Sequence, residues 1–157
     1  MIKLELDDFD IQSFFLCAIH TSLSPIKLAF LINKRLDLRL HRCHNDIQLI
    51  DQNNLSKYLY FKYVDSINFT TYHLFQNKES TSKESLKSSF ITDKLKVNSG
   101  RLVPDYQNVD YFLKIETEGD YHQYNNMHTQ ISMITKVSAS YAINFHKIKF
   151  KSNLITE

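Results

Sequence analysis

Val103-Pro104-Asp105-Tyr106-Gln107-Asn108-Val109-Asp110-Tyr111, running directly into Phe112-Leu113-Lys114-Ile115, is the stretch on which the fold reading turns. A polar loop carrying a proline ends there in an apolar strand. Pro104 cannot donate to a sheet ladder, so a strand before it stops or lies at an edge. Asp105 and Asn108 have the short side chains that bond nearby backbone N–H groups and shape a turn. From Val109 an alternation takes over. Val109, Tyr111, Leu113 and Ile115 point one way, and Asp110, Lys114 and Glu116 the other, the pattern of a half-buried strand. The Tyr111 ring is then buried, and its hydroxyl needs a partner, for which a carbonyl of the same loop is the nearest choice.

Working outward, Ile2, Leu4 and Leu6 alternate with Lys3 and Glu5 as a first strand, and the apolar run within 13–20 suits a central strand covered on both faces. Ser24 offers an N-cap and Pro25 a first helical position, which predicts a helix over 25–36. Its inner face is Leu28, Leu31, Ile32 and Leu36. Ile26 and Phe30 widen the apolar arc and point to a deeply buried helix, with an exposed self-association surface as the alternative. Leu38 and Leu40 read as a strand ending near Cys43. The segments 57–64 and 67–76 read as a hairpin about Asp65-Ser66. The polar stretch 77–99 reads as a mobile connection. After the motif strand, Gly119-Asp120 opens a helix with Tyr121, Tyr124, Met127, Ile131 and Ile134 at helical spacing. A strand over 137–144 and a basic tail able to add another strand close the chain. This order predicts one α+β domain over 1–157, with a mobile polar segment at about 77–99. Its antiparallel or mixed sheet carries two helices on one face, in the double strand–helix–strand manner of ferredoxin-like folds.

Composition narrows the function. The 157 residues are 43% hydrophobic, enough for a real core, and the net charge of +2 is too small to argue for nucleic acid. Two glycines, Gly100 and Gly119, stand far apart, so no phosphate-cradling loop or nucleophile elbow can be assembled from them. Cys17 and Cys43 sit among core-like residues and read as reduced, buried thiols. An acidic start (Glu5, Asp7, Asp8, Asp10) is the reverse of a signal peptide's, and no apolar run approaches a membrane span. A cytoplasmic protein is expected.

The candidate chemistry is thin. His41-Arg42-Cys43-His44 brings at most two ligands to one face of a strand, short of a zinc site, and no metal or cofactor is expected. Cys17 lies where desolvation makes a thiol inert. His20, Thr21 and Ser22 precede a helix N-terminus, where an active site could stand but where a turn and cap need the same residues. Asp105 and Asp110 could pair, although capping the loop or pairing with Lys114 is more economical. Tyr58, Tyr60 and Lys62 interleave aromatic and basic residues as a base-stacking strand does.

The motif is also similar to the name motif of the IPExxxVDY family, small bacterial proteins without an established activity. Pro104, Val109, Asp110 and Tyr111 stand as in the pattern, with Val103 in place of Ile and Asp105 in place of Glu. Leu6-Asp7-Asp8-Phe9-Asp10, Ala18-Ile19-His20-Thr21-Ser22-Leu23, Lys27-Leu28-Ala29-Phe30 with Asn33-Lys34, and Lys149 with Lys151-Ser152-Asn153-Leu154-Ile155 extend the resemblance over most of the chain. It brings no catalytic residues with it.

The expectation is therefore a non-enzymatic cytoplasmic interaction or adaptor protein with a protein partner, a homodimer being one form it could take. The binding surface expected combines Pro104, Asp105, Tyr106, Asp110 and Tyr111 with His20, Thr21 and Ser22. The first alternative is an RNA-binding module using Tyr58, Tyr60 and Lys62, nucleic acid being disfavoured but retained. The second is a small-molecule or acyl-group binder with a pocket beneath the helices.

Overall fold

The structure is a computed structural model describing residues 14–51, 54–80, 100–119 and 121–155. The strand expected at 2–6, the cap at Asp120 and the segment 81–99 lie outside these residues. The elements run β1 (Phe14–Thr21), α1 (Pro25–Leu36), β2 (His41–Arg42), β3 (Ile47–Asp51), β4 (Asn54–Tyr58), β5 (Tyr60–Asp65), β6 (Thr70–Gln76), β7 (Tyr111–Thr117), α2 (Met127–Ser132) and β8 (Val137–Ile143). Six strands form one antiparallel sheet in the order β2-β5-β6-β7-β1-β8, and β3 and β4 pair as a separate two-stranded sheet. The expected class holds as mixed helix and strand, but the sheet is larger than the four strands that two strand–helix–strand units supply.

The apolar run in β1 does what its composition demands. It lies between β7 and β8, and every residue from Phe15 to Ile19 is buried. On one face, Phe15, Cys17 and Ile19 join Tyr72 and Leu74 of β6 and Tyr111, Leu113 and Ile115 of β7. Leu28, Ala29 and Ile32 of α1 and Ile131 of α2 close over them, so both helices share this helix face. Each such large side chain contributes about 1.5–3 kcal/mol when taken from water. On the opposite face, Leu16, Ala18, Phe75 and Phe112 are covered by the small β3–β4 sheet and by irregular chain. Tyr58, Leu102, Val103, Val109, Ile148 and Leu154 supply the cover. We call this the motif face.

Helix α1 spans the residues expected. Ser24 is its N-cap by position but its hydroxyl makes no cap bond, and Asp37 ends it in the left-handed region at φ 54. Ile26 and Phe30 correct the deeply buried reading, being 65% and 62% exposed. Leu28, Ala29 and Ile32 are its fully buried side, with Leu31 and Leu36 packed half-buried against the same core.

Other differences have local causes. Leu38 and Leu40 are buried without forming a strand, because the Asn33 amide takes both the N–H and the carbonyl of Leu40, at 2.8 and 3.0 Å. The strand expected over 57–64 breaks at Leu59, where the chain leaves the small sheet for the large one. The hairpin turn occupies four residues, 66–69, so β6 starts at Thr70. The second helix shrinks to α2 after a separate 3₁₀ turn, Tyr121–Tyr124. Asn125-Asn126 divides the two, since Asn prefers caps and turns to a helix interior. The C-terminal stretch makes 3₁₀ turns, Phe145–Lys147 and Lys151–Leu154, in place of a strand. Leu154 is buried there, and its carbonyl accepts a bond from the Lys114 ammonium at 2.9 Å.

β7 carries the largest correction. It is buried on both faces rather than half-buried. Val109 turns to the motif face while Tyr111, Leu113 and Ile115 line the helix face. Lys114 is fully buried, and Glu116 keeps about a third of its side chain in water.

Candidate functional site

The motif loop is built around a residue the sequence reading placed in a mobile segment. Asn77 is fully buried. Its side-chain amide donates to the carbonyls of Tyr106 and Val109 at 2.9 and 2.8 Å, and its side-chain oxygen accepts from the Val103 N–H at 2.8 Å. Its backbone adds an N–H to the Asp110 carbonyl and a carbonyl to the Leu102 N–H, both at 2.9 Å. One asparagine thus satisfies the interior of a loop that has no ladder of its own. No signal in a single sequence marks Asn77, because an Asn ending a strand before a polar stretch reads as the start of a loop.

Around this hub each motif residue has a defined place. Pro104 opens a 3₁₀ turn, Pro104–Tyr106, where its missing N–H leaves nothing unsatisfied. Asp105 is exposed and accepts the Lys149 N–H at 3.0 Å, so it holds the C-terminal stretch rather than its own loop. Tyr106 is half-buried with its ring edge-on to Phe112. The Asp110 carboxylate accepts the Thr21 N–H at 2.9 Å and pairs with the Lys78 ammonium at 3.3 Å, whereas Lys114 pairs with Glu116. The Tyr111 hydroxyl donates to the Leu23 carbonyl at 2.7 Å, outside its own loop. Burial pushes that hydroxyl up to about 12.

These contacts bring the motif against the β1–α1 turn, the two parts expected to share a surface. Thr21 bridges the turn itself, accepting the Leu23 N–H and donating to the Lys136 carbonyl. His20 leaves this junction and pairs with the Tyr141 hydroxyl at 2.9 Å. A cleft of ≈240 Å³ opens where they meet, lined by Ser22, Ser24, Gln76, Lys78, Asp110 and Tyr111 among others. Ser22, Ser24 and Lys78 are exposed on its rim, and the buried Gln76 side-chain oxygen has no hydrogen-bond partner among the described residues.

The motif face also holds a line of ionisable groups. The Tyr60 hydroxyl bonds His73, His73 bonds Glu116 at 3.1 Å, and Glu116 takes the Lys114 ammonium at 2.7 Å. Burial lowers both His73 and Lys114. Burial alone would raise Glu116, but hydrogen bonds and charge from His73 and Lys114 hold it down at about 2. The sequence reading missed this line because Lys in a period-two strand reads as solvent-facing. The unbroken run Tyr111-Phe112-Leu113 was the available sign of cover on both faces.

The aromatic platform is corrected. Tyr58 and Tyr60 are buried in the motif-face core, with Tyr60 stacked on Phe75, so neither offers a face to an unstacked base. Cys17 is buried beside Ser140 and pushed up to about 11, chiefly by desolvation, which leaves it a poor nucleophile. Among the described residues no three His, Cys, Asp or Glu side chains gather to hold a metal ion, and no helix is long and apolar enough to cross a membrane.

No family model, curated protein or solved structure matches the chain.

Proposed function

We propose that this chain is a non-enzymatic interaction module of the cytoplasm, of the IPExxxVDY type, that takes a polar segment of a protein partner in the cleft between its motif and its β1–α1 turn. The observation that carries the reading is the cleft itself. Ser22, Ser24 and Lys78 stand on its rim, and Gln76 in its wall keeps a buried side-chain oxygen without a hydrogen-bond partner among the described residues. A buried acceptor left bare is unfavourable by about 1–3 kcal/mol, which a partner's donor recovers once the Gln76 side chain turns toward the rim. The motif's part is to build the wall. Asp110 and Tyr111 are committed to Thr21 and Leu23, so their chemistry is spent on position.

The cleft is too polar for an acyl chain. Beneath the helices the space is occupied by Cys17, Ile19, Leu28, Ile32, Leu74 and Leu113, all buried, which counts against the acyl-group alternative. For the fold we propose that β6-β7-β1-β8 with α1 and α2 form a ferredoxin-like core, into which β2 to β5 are inserted between α1 and β6. The support is the strand order together with the position of both helices on one face.

The test is affinity capture from the native cell with the wild-type chain, Ser22→Trp and Lys78→Gln, followed by mass spectrometry. Both positions are exposed, and the Lys78 pair with Asp110 is a surface one worth about 0–1 kcal/mol, so thermal unfolding should change little in either variant. Loss of the same protein from both captures supports the cleft. An unaltered set of captured proteins means the surface is wrongly placed.

A further inference from the structure

We infer that the chain also associates with a second copy of itself, the tip of the β5–β6 hairpin of one copy seating in the groove between α1 and α2 of another. This surface is separate from the cleft and does not depend on it.

The tip is an apolar projection held rigid. Ile67 is 88% exposed and Phe69 67%, with Val64 more than half exposed beside them. The Asp65 carboxylate accepts the N–H groups of Ile67 and Asn68 at 3.1 and 3.2 Å and the Asn68 side-chain amide at 2.7 Å. Phe69 sits at φ 51, in the left-handed region that bulky residues avoid, and its carbonyl accepts the Glu118 N–H at 3.2 Å. Strain of this kind persists only where surrounding bonds fix it, and here it carries a large aromatic into water. Asp65 and Glu118 give the base of the tip a negative charge, and hydrogen bonds from Asn68 and Ile67 keep the Asp65 carboxyl ionised below its usual range.

The groove has the opposite character. It is an open furrow of ≈500 Å³ with Leu31, Met133 and Ile134 in it and Lys34 and Arg35 along it. That volume lies within the range of pockets that enclose a sizeable apolar group. Residues 25–36 contain Lys27, Lys34 and Arg35 and no acid, and residues 127–136 contain none either; Asp37, at the end of α1, is the nearest carboxylate in sequence. A symmetric pairing of α1 on α1 would set these cations against their own copies, which disfavours it. A second copy reaches the groove favourably with an acidic surface, and among the described residues the tip is an apolar projection with acids, Asp65 and Glu118, at its base. Tip and groove are both exposed within one chain, so the tip does not occupy its own groove.

Sedimentation velocity on the full chain over a wide concentration series tests this. Wild type should show mass increasing with concentration, less so at high salt. The double variant Ile67→Ser/Phe69→Asn, in which Asn tolerates the left-handed turn, and the double variant Lys34→Glu/Arg35→Glu should each weaken association about tenfold or more. Mixed together, the two variants should regain a one-to-one complex, because one supplies an intact tip and the other an intact groove. A wild-type chain that is monomeric throughout, or mixed variants that do not associate, overturns the inference. So does a monomer that binds phosphatidylserine vesicles through Lys34 and Arg35, which would assign the groove to a lipid surface.

Discussion

The two faces of the sheet are both dry, but they are closed by different means. On the helix face the cover is regular: α1 and α2 lay aliphatic side chains over Cys17, Ile19, Leu74 and Leu113, and the polar groups buried there, Thr70, Thr117 and the Tyr124 hydroxyl, bond to one another. On the motif face the cover is the small β3–β4 sheet and, for the most part, irregular chain, and it comes with buried Asn77, His73 and Lys114. Regular elements satisfy their own backbone and need only apolar surface to dock. A loop that docks must have its N–H and carbonyl groups satisfied from elsewhere. Asn77, Asp110 and Lys114 are the means, and the conspicuous motif of this chain is what such a docked loop requires.

That difference can be broken at graded strength. Leu113→Ala, on the helix face, should lose about 3–5 kcal/mol in urea unfolding, since it removes a fully buried side chain from a close-packed layer. Asn77→Ala on the motif face should lose about 3 kcal/mol, with three buried side-chain bonds removed and the Val103 N–H and two carbonyls left bare. Glu116→Gln should lose about 2 kcal/mol, short of the value for a fully buried pair because a third of the Glu116 side chain is in water. Adding Lys114→Met to it should restore only part of the loss, because the stranded cation is then gone but the Leu154 carbonyl is left bare. Tyr111→Phe is the smallest, about 1 kcal/mol, from the bond to the Leu23 carbonyl.

The faces should also separate in acid. Glu116 titrates at about 2 in the folded chain against an ordinary 4.5, so its stabilisation is complete above pH 4.5 and is lost as pH falls toward 2. His73 is held below its ordinary 6.5 by burial. The unfolded chain therefore takes up a proton that the folded chain refuses, and stability also declines as pH falls below 6.5. Urea midpoints measured from pH 7 downward should fall gently and then steeply. In Glu116→Gln the steep part should be missing, while Leu113→Ala should only shift the whole curve.

The same contrast explains what was legible in the sequence. The residue patterns of β1, α1 and β8 give their bounds to within a residue or so. Asp110 and Thr21, expected to share a surface, do meet, because the end of β1 and the start of the antiparallel β7 lie at the same end of neighbouring strands. Periodicity shows which residues share a face and not what covers that face. Tyr58 and Tyr60 were therefore read as exposed, and Lys114 as solvated, when the loop and the C-terminal stretch bury all three. Ile26 and Phe30 erred in the other direction, since an apolar arc records what a helix could bury rather than what its sheet has room for. Asn33 and Asn77 act through side-chain bonds to distant backbone, which leave no periodic trace.

The central claim is that the motif is a structural latch held from Asn77 and Asp110, and native-state hydrogen exchange at the Val103 and Thr21 amides tests it most directly. Neither donates to a strand partner; they donate to the Asn77 and Asp110 side chains. The latch predicts that both exchange as slowly as the β1–β7 ladder, and that Asn77→Ala releases Val103 while the ladder amides stay protected. Val103 and Thr21 exchanging in the wild-type chain at the rate of an open loop would contradict it.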